Sequence, residues 1–402
     1  MAKKEVAAVD DHVDALKEFN ENVMPNLEAD FRTNYKGKAG KKIGVIGGDR
    51  KYAGAPYFAA MAACKAGADI VHVFCHEEAA KAIKSYSPDL IVHACLKDSR
   101  DAPDPSDDDD DVKQEGVRKF LEENWEMIGR MDAIVVGPGL GRDWYTWLLV
   151  CAAVNVASIR CVPMVFDADA LYMIGTFFNG RDALPKETKD MRDMIDTWRN
   201  VGQMSFNLGP PRLSNVPANG FIVFTPNVHE FTYGFNPEKP EVAKVTVDNF
   251  LGTNYELRVN YPSILAKGAD DIFVHLEGPE GPIKFENVPG SKKRCGGQGD
   301  ILSGVLAVFL AWSRDRHVRD SSTSSNTQPG TRADRPKAED SSSFRESAKL
   351  ACFCASKLTR EGARRAYEKH KRSVQSSDIL VELPGALEDL FPSSSSPSSS
   401  SS

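Results

Sequence analysis

The sequence lacks the patterns that would place it in several large protein classes. Its 8 cysteines include no Cys-x-x-Cys pair, so free thiols are expected rather than a metal site or a disulfide framework. No run of apolar residues is long enough to cross a membrane. The N-terminal stretch MAKKEVAAVDDHVDALKEF is acidic and has no apolar core, unlike a secretory signal or an Arg-rich transit peptide. We therefore expect a cytoplasmic protein, and the pattern is compatible with a mitochondrial isoform that begins elsewhere.

The sequence also lacks an excess of basic residues and the standard nucleotide-loop motifs. The chain of 402 residues carries 50 Lys and Arg against 57 Asp and Glu, which argues against a binder of nucleic acid or of an acidic membrane. The P-loop pattern Gly-x-x-x-x-Gly-Lys-[Ser/Thr] does not occur. The segment GPGLG at 137–141 is not a dinucleotide fingerprint, because Arg142 stands where the third glycine is needed.

Short apolar strands alternate with helical stretches through most of the chain. KKIGVIGGD, IVHVFC, LIVHACL, MDAIVV and CVPMVF are typical of buried strands, and PYFAAMAACKAG is typical of a helix that closes at Gly67. Residues 11–30 carry apolar side chains at helical spacing, which predicts an amphipathic helix. This alternation predicts an α/β fold with a mainly parallel sheet that is covered on both faces.

Three segments interrupt this rhythm with polar, low-complexity sequence. We predict a single domain over residues 1–391, with disordered insertions at 98–115 and 314–345 and a disordered Ser-rich tail at 392–402. The block from about 175 to 220 indicates a surface elaboration.

Glycines and acids collect after five of the predicted strands. They are GGD at 47–49, GPGLGRD at 137–143, DADAL at 167–171, TPNVHE at 225–230 and KGADD at 267–271. Ligands of open parallel sheets bind beyond the carboxyl ends of the strands, so a large polar cleft is expected there. In GPGLG, the backbone would approach a phosphate-bearing ligand closely, and a plain tight turn is the alternative.

Two of these strand ends offer oxygen ligands. Thr225 is a suitable N-cap, which would put Asn227 and Glu230 on one face of the first helical turn, where they suit a hydrated Mg²⁺. Alternatively, Glu230 only complements the helix dipole. Asp167 and Asp169 would share one side of an extended chain and hold metal-bound water or ligand hydroxyls, or they would form a hydrogen-bonded turn.

The segment RCGGQGDILSG surrounds one carboxylate, Asp300, with 4 glycines before an apolar helix. Exposed N–H groups at the start of such a helix form an anion hole that suits phosphate. Asp300 beside them could accept a proton from a hydroxyl that attacks a phosphoryl group. A helix cap is the structural alternative, but it does not require the glycines, so we favour a catalytic base.

Together and in this order, YAGAPYFAA, VVGPGLGR, DADAL, TPNVHEF, KGADD and GSKKRCGGQGDILSG resemble the eukaryotic type of ATP-dependent NAD(P)H-hydrate dehydratase, over roughly 15–312 and 346–391. The resemblance implies a ribokinase-like three-layer α/β/α sandwich with a mainly parallel central sheet. It also implies a carbon–oxygen lyase that dehydrates the (6S) hydrate of NADH or NADPH and releases ADP and phosphate. Such an enzyme repairs nicotinamide cofactors.

The resemblance further implies which residues take part. Asp300 would be the catalytic base and would contact the substrate. The residues implied to contact the hydrate are Gly139, Gly141, Asn227, Val228, His229, Glu230, Phe231, Thr232 and Tyr233. Those implied to contact ATP are Lys267, Gly268, Ala269, Asp270, Asp271, Gly290, Ser291, Lys292, Lys293, Arg294, Cys295, Gly296, Gly297, Gln298 and Gly299. Mg²⁺ would bridge the phosphates near Asn227 and Glu230.

Two other functions are compatible with the same cleft. A ribokinase-like kinase of a sugar or vitamin precursor would leave the phosphate on its product, and a nucleotide-binding regulator would bind without turnover. As partners we expect only the small-molecule substrates, functional pairing with an NAD(P)H-hydrate epimerase, and self-association as a homo-oligomer, with neither nucleic acid nor membrane.

Overall fold

The computed structural model describes residues 11–25, 41–101, 110–178, 222–230, 263–275, 282–286, 288–323 and 341–393. A sheet of 9 strands, in the order β3-β2-β1-β4-β5-β6-β7-β8-β9, runs through the centre of this part of the chain. The strands are β1 Lys42–Ile46, β2 Ile70–His76, β3 Leu90–Leu96, β4 Ala133–Val136, β5 Met164–Phe166, β6 Ile222–Phe224, β7 Ser263–Ala266, β8 Asp271–His275 and β9 Ile283–Phe285.

Strands β1 to β7 pair in parallel, and only β8 and β9 run antiparallel to their neighbours. The apolar run of β1 is continuous because both of its faces are covered, as is usual for parallel sheets. Val45 pairs in register with Val73 on one side and Val135 on the other. The prediction of a mainly parallel sheet is confirmed.

Helices cover both faces of the sheet. They are α1 Asp11–Asn22, α2 Gly54–Lys65, α3 Glu77–Tyr86, α4 Asp110–Ile128, α5 Trp144–Ile159, α6 Asp169–Phe178, α7 Gln298–Thr323, α8 Ser341–His370 and α9 Ser376–Leu390. One core contains side chains of α2, α3, α7, α8 and α9, and the other contains those of α4, α5 and α6. Alternate residues of β1 serve the two cores, with Ile43 and Val45 in the first and Ile46 in the second. The three-layer α/β/α sandwich is therefore confirmed.

The predicted amphipathic N-terminal helix and the helix closing at Gly67 are both found. Helix α1 buries Phe19 against Phe309 of α7, with 4.7 Å between the ring centroids. Helix α2 ends as predicted, because Gly67 has φ +104 and its N–H donates to the carbonyl of Cys64. The Phe19–Phe309 contact joins α1 to α7, and side chains of α1, α2 and α7 belong to the same core.

Parts of the two insertions that were predicted to be disordered lie in regular structure. Helix α4 begins at Asp110 and α7 continues to Thr323, while α8 begins at Ser341. Asp98 is buried because Arg50 and Arg100 donate hydrogen bonds to its carboxylate. The acidic composition hid these ion pairs from sequence reasoning. Residues 102–109, 179–221, 324–340 and 394–402, which include most of the predicted elaboration and tail, lie outside the described residues.

Two further expectations concern free thiols and membrane-spanning segments. All 8 cysteines are unpaired. Among the helices that the structure describes, none is long and apolar enough to span a membrane.

Candidate active site

The five strand ends that were predicted to meet do so. Strands β1, β4, β5, β6 and β7 are consecutive in the sheet and parallel, so their carboxyl ends lie along one edge. A cavity of about 1010 Å³ opens beyond β6, β7 and the start of α7. The loop after β7 is tied to the loop after β6, because Lys267 N–H donates to the Pro226 carbonyl at 2.8 Å. The sheet thus brings together motifs that are far apart in the sequence.

Asp300 lies within the first turn of α7 and not at its cap. The N–H of Ile301 donates to the carbonyl of Gly297, so Gly297 is the cap and the N–H groups of Gln298, Gly299 and Asp300 have no acceptor inside the helix. Within the described part of the chain, no group hydrogen-bonds to the Asp300 carboxylate. The geometry therefore favours the predicted base beside an anion hole over the helix-cap alternative.

The surroundings of Asp300 favour a base that titrates near neutral pH. Burial is the largest cause, and the negative charge of Asp167 adds to it, so the pKa of Asp300 rises to about 7. The charges of Glu230 and Asp169 act in the same direction, whereas Lys267 lowers this pKa. A carboxyl group with such a pKa can exchange a proton with a substrate hydroxyl at physiological pH.

The ammonium of Lys267 lies close both to the carboxylates of Asp167 and Glu230 and to the start of α7. Its ammonium Nζ lies 2.6 Å from Oδ1 of Asp167 and 3.7 Å from Oε2 of Glu230. A side-chain carbon at position 299 would lie 3.1 Å from the same Nζ, so Gly299 lets the ammonium approach the helix N-terminus. Lys267, Gln298 and Gly299 all line the cavity.

The expectation that Asp167 and Asp169 share one side of an extended chain is wrong. Ala168 between them has φ +51, which turns the chain, and α6 begins at Asp169. Asp167 is 1% exposed and pairs with Lys267, whereas Asp169 accepts a hydrogen bond from the N–H of Gly141 at 2.9 Å. The two carboxylates therefore have separate partners.

The segment TPNVHE differs from its prediction by two residues at the cap. Helical conformation begins at Val228, so Asn227 and not Thr225 is the N-cap. Oδ1 of Asn227 accepts from the N–H groups of His229 and Glu230, and Oε2 of Glu230 accepts from the N–H of Asn227. This is a capping box, in which the two side chains satisfy the helix start reciprocally.

The remaining residues that the resemblance assigns to the hydrate fall into three groups. Gly139 and Gly141 both have positive φ and pack against the segment 49–52, where a side-chain carbon at 139 would meet Tyr52 and one at 141 would meet Asp49. They do not line the cavity. Val228 and His229 are exposed and do not line the cavity either. Phe231, Thr232 and Tyr233 lie outside the described residues.

Most of the residues that the resemblance assigns to ATP line the cavity. They are Lys267, Gly268, Ala269, Asp270, Asp271, Gly290, Ser291, Lys292, Arg294, Cys295, Gln298 and Gly299. Three others, Lys293, Gly296 and Gly297, do not line it. Nζ of Lys293 instead donates to the carbonyls of Arg372 and Val374 near the start of α9.

Arg360 of α8 is a site residue that sequence reasoning missed. Its guanidinium donates to the carboxylate of Asp271 at 2.6 Å and 3.0 Å, and to the carbonyls of Gly268 and Ala269. Ser356 donates to the same carboxylate at 2.6 Å. Arg360 therefore ties α8 to the KGADD loop, and both Arg360 and Ser356 also line the cavity. No motif marks it, because it lies in an ordinary helical stretch that only the fold brings to the loop.

The one potential metal-ligand cluster found among the described residues lies elsewhere. It consists of His76, Asp98 and Asp101, whose ligand atoms lie within 4.8 Å of one another. Arg50 donates to both carboxylates, at 2.5 Å to Asp98 and 2.7 Å to Asp101. The N–H of Glu78 donates to Nδ1 of His76. The cluster is therefore an ion-pair network that ties the ends of β1 and β2 to the segment after β3.

Comparison with known proteins gives a consistent result. The family model described as NAD(P)H-hydrate dehydratase matches residues 43–183 and 214–384. An ATP-dependent (S)-NAD(P)H-hydrate dehydratase of Arabidopsis thaliana is 36% identical over 379 residues, which cover 92% of this chain and 84% of the relative. The enzyme of the same name from Schizosaccharomyces pombe is 33% identical over 371 residues, with 90% of each chain covered.

Solved structures agree on the fold. A ribokinase-like superfamily protein from Enterococcus faecalis superposes with a TM-score of 0.53 at 16% identity, over 94% of this chain and 95% of its own. The ADP/ATP-dependent NAD(P)H-hydrate dehydratase of Bacillus subtilis, co-crystallised with ATP/Mg²⁺, gives a TM-score of 0.52 at 15% identity. It is matched over its whole length, 100%, and over 96% of this chain.

Proposed function

The chain belongs to the NAD(P)H-hydrate dehydratase family, and we propose that it uses ATP to dehydrate the (6S) hydrate of NADH or NADPH. The carbon–oxygen lyase reaction releases NADH or NADPH, ADP and phosphate, and so repairs a damaged nicotinamide cofactor. The observation that carries the proposal on the structure is Asp300. It lies in the first turn of α7, directly after Gln298 and Gly299, which line the cavity, and its carboxyl group feels the positive charge of Lys267.

The reaction follows from what these groups can do. Asp300 removes the proton from the hydroxyl of the hydrate, and the hydroxyl oxygen bonds to the γ-phosphorus of ATP as the bond to ADP breaks. ADP keeps the electron pair of that bond. The phosphate ester then leaves the ring as phosphate, and the neighbouring ring carbon loses a proton, which restores the double bond. The N–H groups of Gln298, Gly299 and Asp300 supply hydrogen bonds for the negative charge on the transferred phosphoryl group.

The alternative of a kinase for a sugar or vitamin precursor shares the first step but retains the phosphate on its product. The family model and the relatives support the dehydratase over this alternative. The test is incubation of the purified chain with a mixture of NADH hydrate epimers, ATP and Mg²⁺. We expect the near-ultraviolet absorbance of NADH to return only when ATP is present. A stable phosphorylated product without that recovery would identify a kinase instead.

The pair Asn227 and Glu230 does not fit a Mg²⁺ site in this structure. Oδ1 of Asn227 already accepts two N–H groups, and Oε2 of Glu230 accepts one and faces the ammonium of Lys267. A cation would also be repelled by that ammonium. In our proposal Mg²⁺ therefore enters only as the counter-ion of ATP. Titration of the activity with Mg²⁺ at constant ATP tests this, and full activity in excess EDTA would remove the ion from the proposal.

The setting of the enzyme is part of the same proposal. We propose a cytoplasmic location, because all 8 cysteines are unpaired, as is usual in a reducing compartment. An NAD(P)H-hydrate epimerase would supply the (6S) substrate from the other epimer, and the chain would act as a homo-oligomer. Fractionation of cells and size-exclusion chromatography with light scattering test the first and last points. A membrane-bound or organellar pool would contradict the cytoplasmic assignment.

A further inference from the structure

Lys267 lies where a cation is normally unfavourable. Its ammonium is next to the start of α7, and the N-terminus of a helix carries a partial positive charge. The Lys267 side chain is also only 16% exposed, so water screens this repulsion weakly. An ammonium in such a place has to be stabilised by a fixed anion, by a bound anionic ligand, or by both.

Two fixed carboxylates face the ammonium, Asp167 in hydrogen-bond contact and Glu230 at 3.7 Å, and Asp167 is the closer one. Its carboxylate is 1% exposed and donates nothing, and the 2.6 Å hydrogen bond from Nζ of Lys267 is a charge-assisted contact. Asp167 follows β5 and Lys267 follows β7, so the pair spans the end of β6 between them. The carboxylate therefore fixes the direction of the lysine side chain across the edge of the sheet.

The geometry leaves the ammonium able to bind a further anion, because Oε2 of Glu230, at 3.7 Å, is too far away to accept a hydrogen bond from it. Among the described residues, Nζ makes one hydrogen bond, to Asp167, although an ammonium has three donors. Lys267 lines the cavity next to Gly299, whose N–H is one of the unpaired donors of the helix start. A phosphoryl group bound to that helix start would accept hydrogen bonds from the helix and from Lys267 together.

We propose that Asp167 is a positioning residue, which holds the Lys267 ammonium at the start of α7 so that Lys267 binds the phosphoryl group as it leaves ATP. This inference rests on the proposed function. Lys267 neutralises charge on the transferred group beside Asp300, at a place where the Asn227–Glu230 pair does not fit a metal ion. Asp167 does not line the cavity, although its charge also raises the pKa of Asp300. At a pH well above 7, where Asp300 is ionised, the effect of Asp167 on kcat therefore passes through Lys267, and the variants are compared at that pH.

A double-mutant cycle tests whether the effect of Asp167 on kcat requires Lys267. We expect Lys267→Met to lower kcat by about 10²- to 10³-fold, as the loss of one preorganised transition-state donor does, with a much smaller change in the KM for ATP. Asp167→Asn should lower kcat by about 10- to 100-fold alone but by less than about 3-fold when Lys267→Met is present. Effects that multiply, or a wild-type kcat for Asp167→Asn, would overturn the proposal.

Asp169→Asn is the matched control within the same DADAL motif. Asp169 bonds the N–H of Gly141 and not Lys267, so its effect should multiply with that of Lys267→Met. Binding of a fluorescent ATP analogue and a thermal melt verify that each variant is folded. Turnover of the hydrate by the wild-type chain is measured first. Its absence would contradict the proposed function, whereas normal wild-type turnover with multiplying effects of Asp167→Asn would contradict only the role of Asp167.

If Asp167→Asn does not fold, the pH dependence of kcat/KM in Lys267→Met provides a second test. Asp300 is faced by the negative charges of Asp167, Glu230 and Asp169 and by the positive charge of Lys267. Lys267→Met leaves the three carboxylates in place and removes the one cation. The acid limb of kcat/KM should then move to higher pH. An unchanged acid limb would show that Lys267 does not act beside Asp300, and would overturn the proposal.

Discussion

The acid limb of the pH profile provides the most direct test of Asp300 as the base. Its pKa of about 7 means that the carboxyl group is protonated, and unable to accept the substrate proton, in much of the enzyme below neutral pH. Between pH 8 and pH 6 the ionised fraction falls about tenfold, and kcat/KM should fall with it. A carboxyl group with the usual pKa of 3.8 would stay ionised over this whole range.

The assay is initial-rate recovery of NADH from its hydrate at saturating ATP and Mg²⁺. The terminal phosphate of ATP also titrates near neutral pH, so the Glu230→Gln variant is the control. Gln at 230 keeps an acceptor for the Asn227 N–H but removes a charge that raises the pKa of Asp300. The acid limb should therefore move to lower pH in this variant, whereas the titration of ATP would not move. A flat profile from pH 8 to pH 6, or an identical limb in Glu230→Gln, would refute Asp300 as the titrating base.

Three further predictions concern stability and nucleotide binding. Asp300→Asn should raise the free energy of unfolding at pH 8 by at most about 4 kcal/mol and near pH 4 by less than about 1 kcal/mol. The reason is that a pKa raised from 3.8 to about 7 makes ionisation of Asp300 costly only in the folded state, and this cost disappears as the pH falls. Thermal melts of both proteins at both pH values measure the difference. Equal stability of the variant and the wild type at pH 8 would contradict the prediction. Gly304→Val should destabilise the fold by about 1 to 3 kcal/mol, because the valine side chain would overlap the Ala59 carbonyl oxygen of α2. Denaturant unfolding measures the loss of stability, and a wild-type midpoint would contradict the close contact between α7 and α2. Arg360→Met should lower the free energy of unfolding by about 3 to 5 kcal/mol, since it leaves the buried Asp271 without its cation. It should also raise the KM for ATP. An unchanged free energy of unfolding and an unchanged KM would show that the KGADD loop does not depend on Arg360.

The sheet and the location of the cleft could be predicted from sequence because both depend on local patterns. The continuous apolar runs of β1, β2 and β4 identified strands covered on both faces. Parallel pairing then required the glycine and acid endings to meet at one edge. The first-turn position of Asp300 followed from its place just after the glycines, and the structure has it there.

The contacts within the site could not be predicted in the same way. The sequence suggested that Asp167 and Asp169 act alike, but the positive φ of Ala168 sends them to different partners. Asn227 and Glu230 have the spacing of metal ligands and also that of a capping box, and only the observed hydrogen bonds distinguish the two. Segments with acidic composition were predicted to be disordered although Asp98 is paired with arginines.

The glycines around Asp300 show where local information ends. From its own sequence the chain determines a helix start with unpaired N–H groups beside a carboxylate, because glycine and apolar periodicity act within one turn of the backbone. Only the tertiary structure decides that Gly299 makes room for Lys267 and that Gly304 lets α7 approach α2. It also decides that Asp300 titrates near pH 7, since that pKa depends on burial and on charges from β5, β6 and β7. Burial and long-range electrostatics are properties of the packed chain, and residues 100 positions apart, such as Asp167 and Lys267, meet only when the sheet has formed.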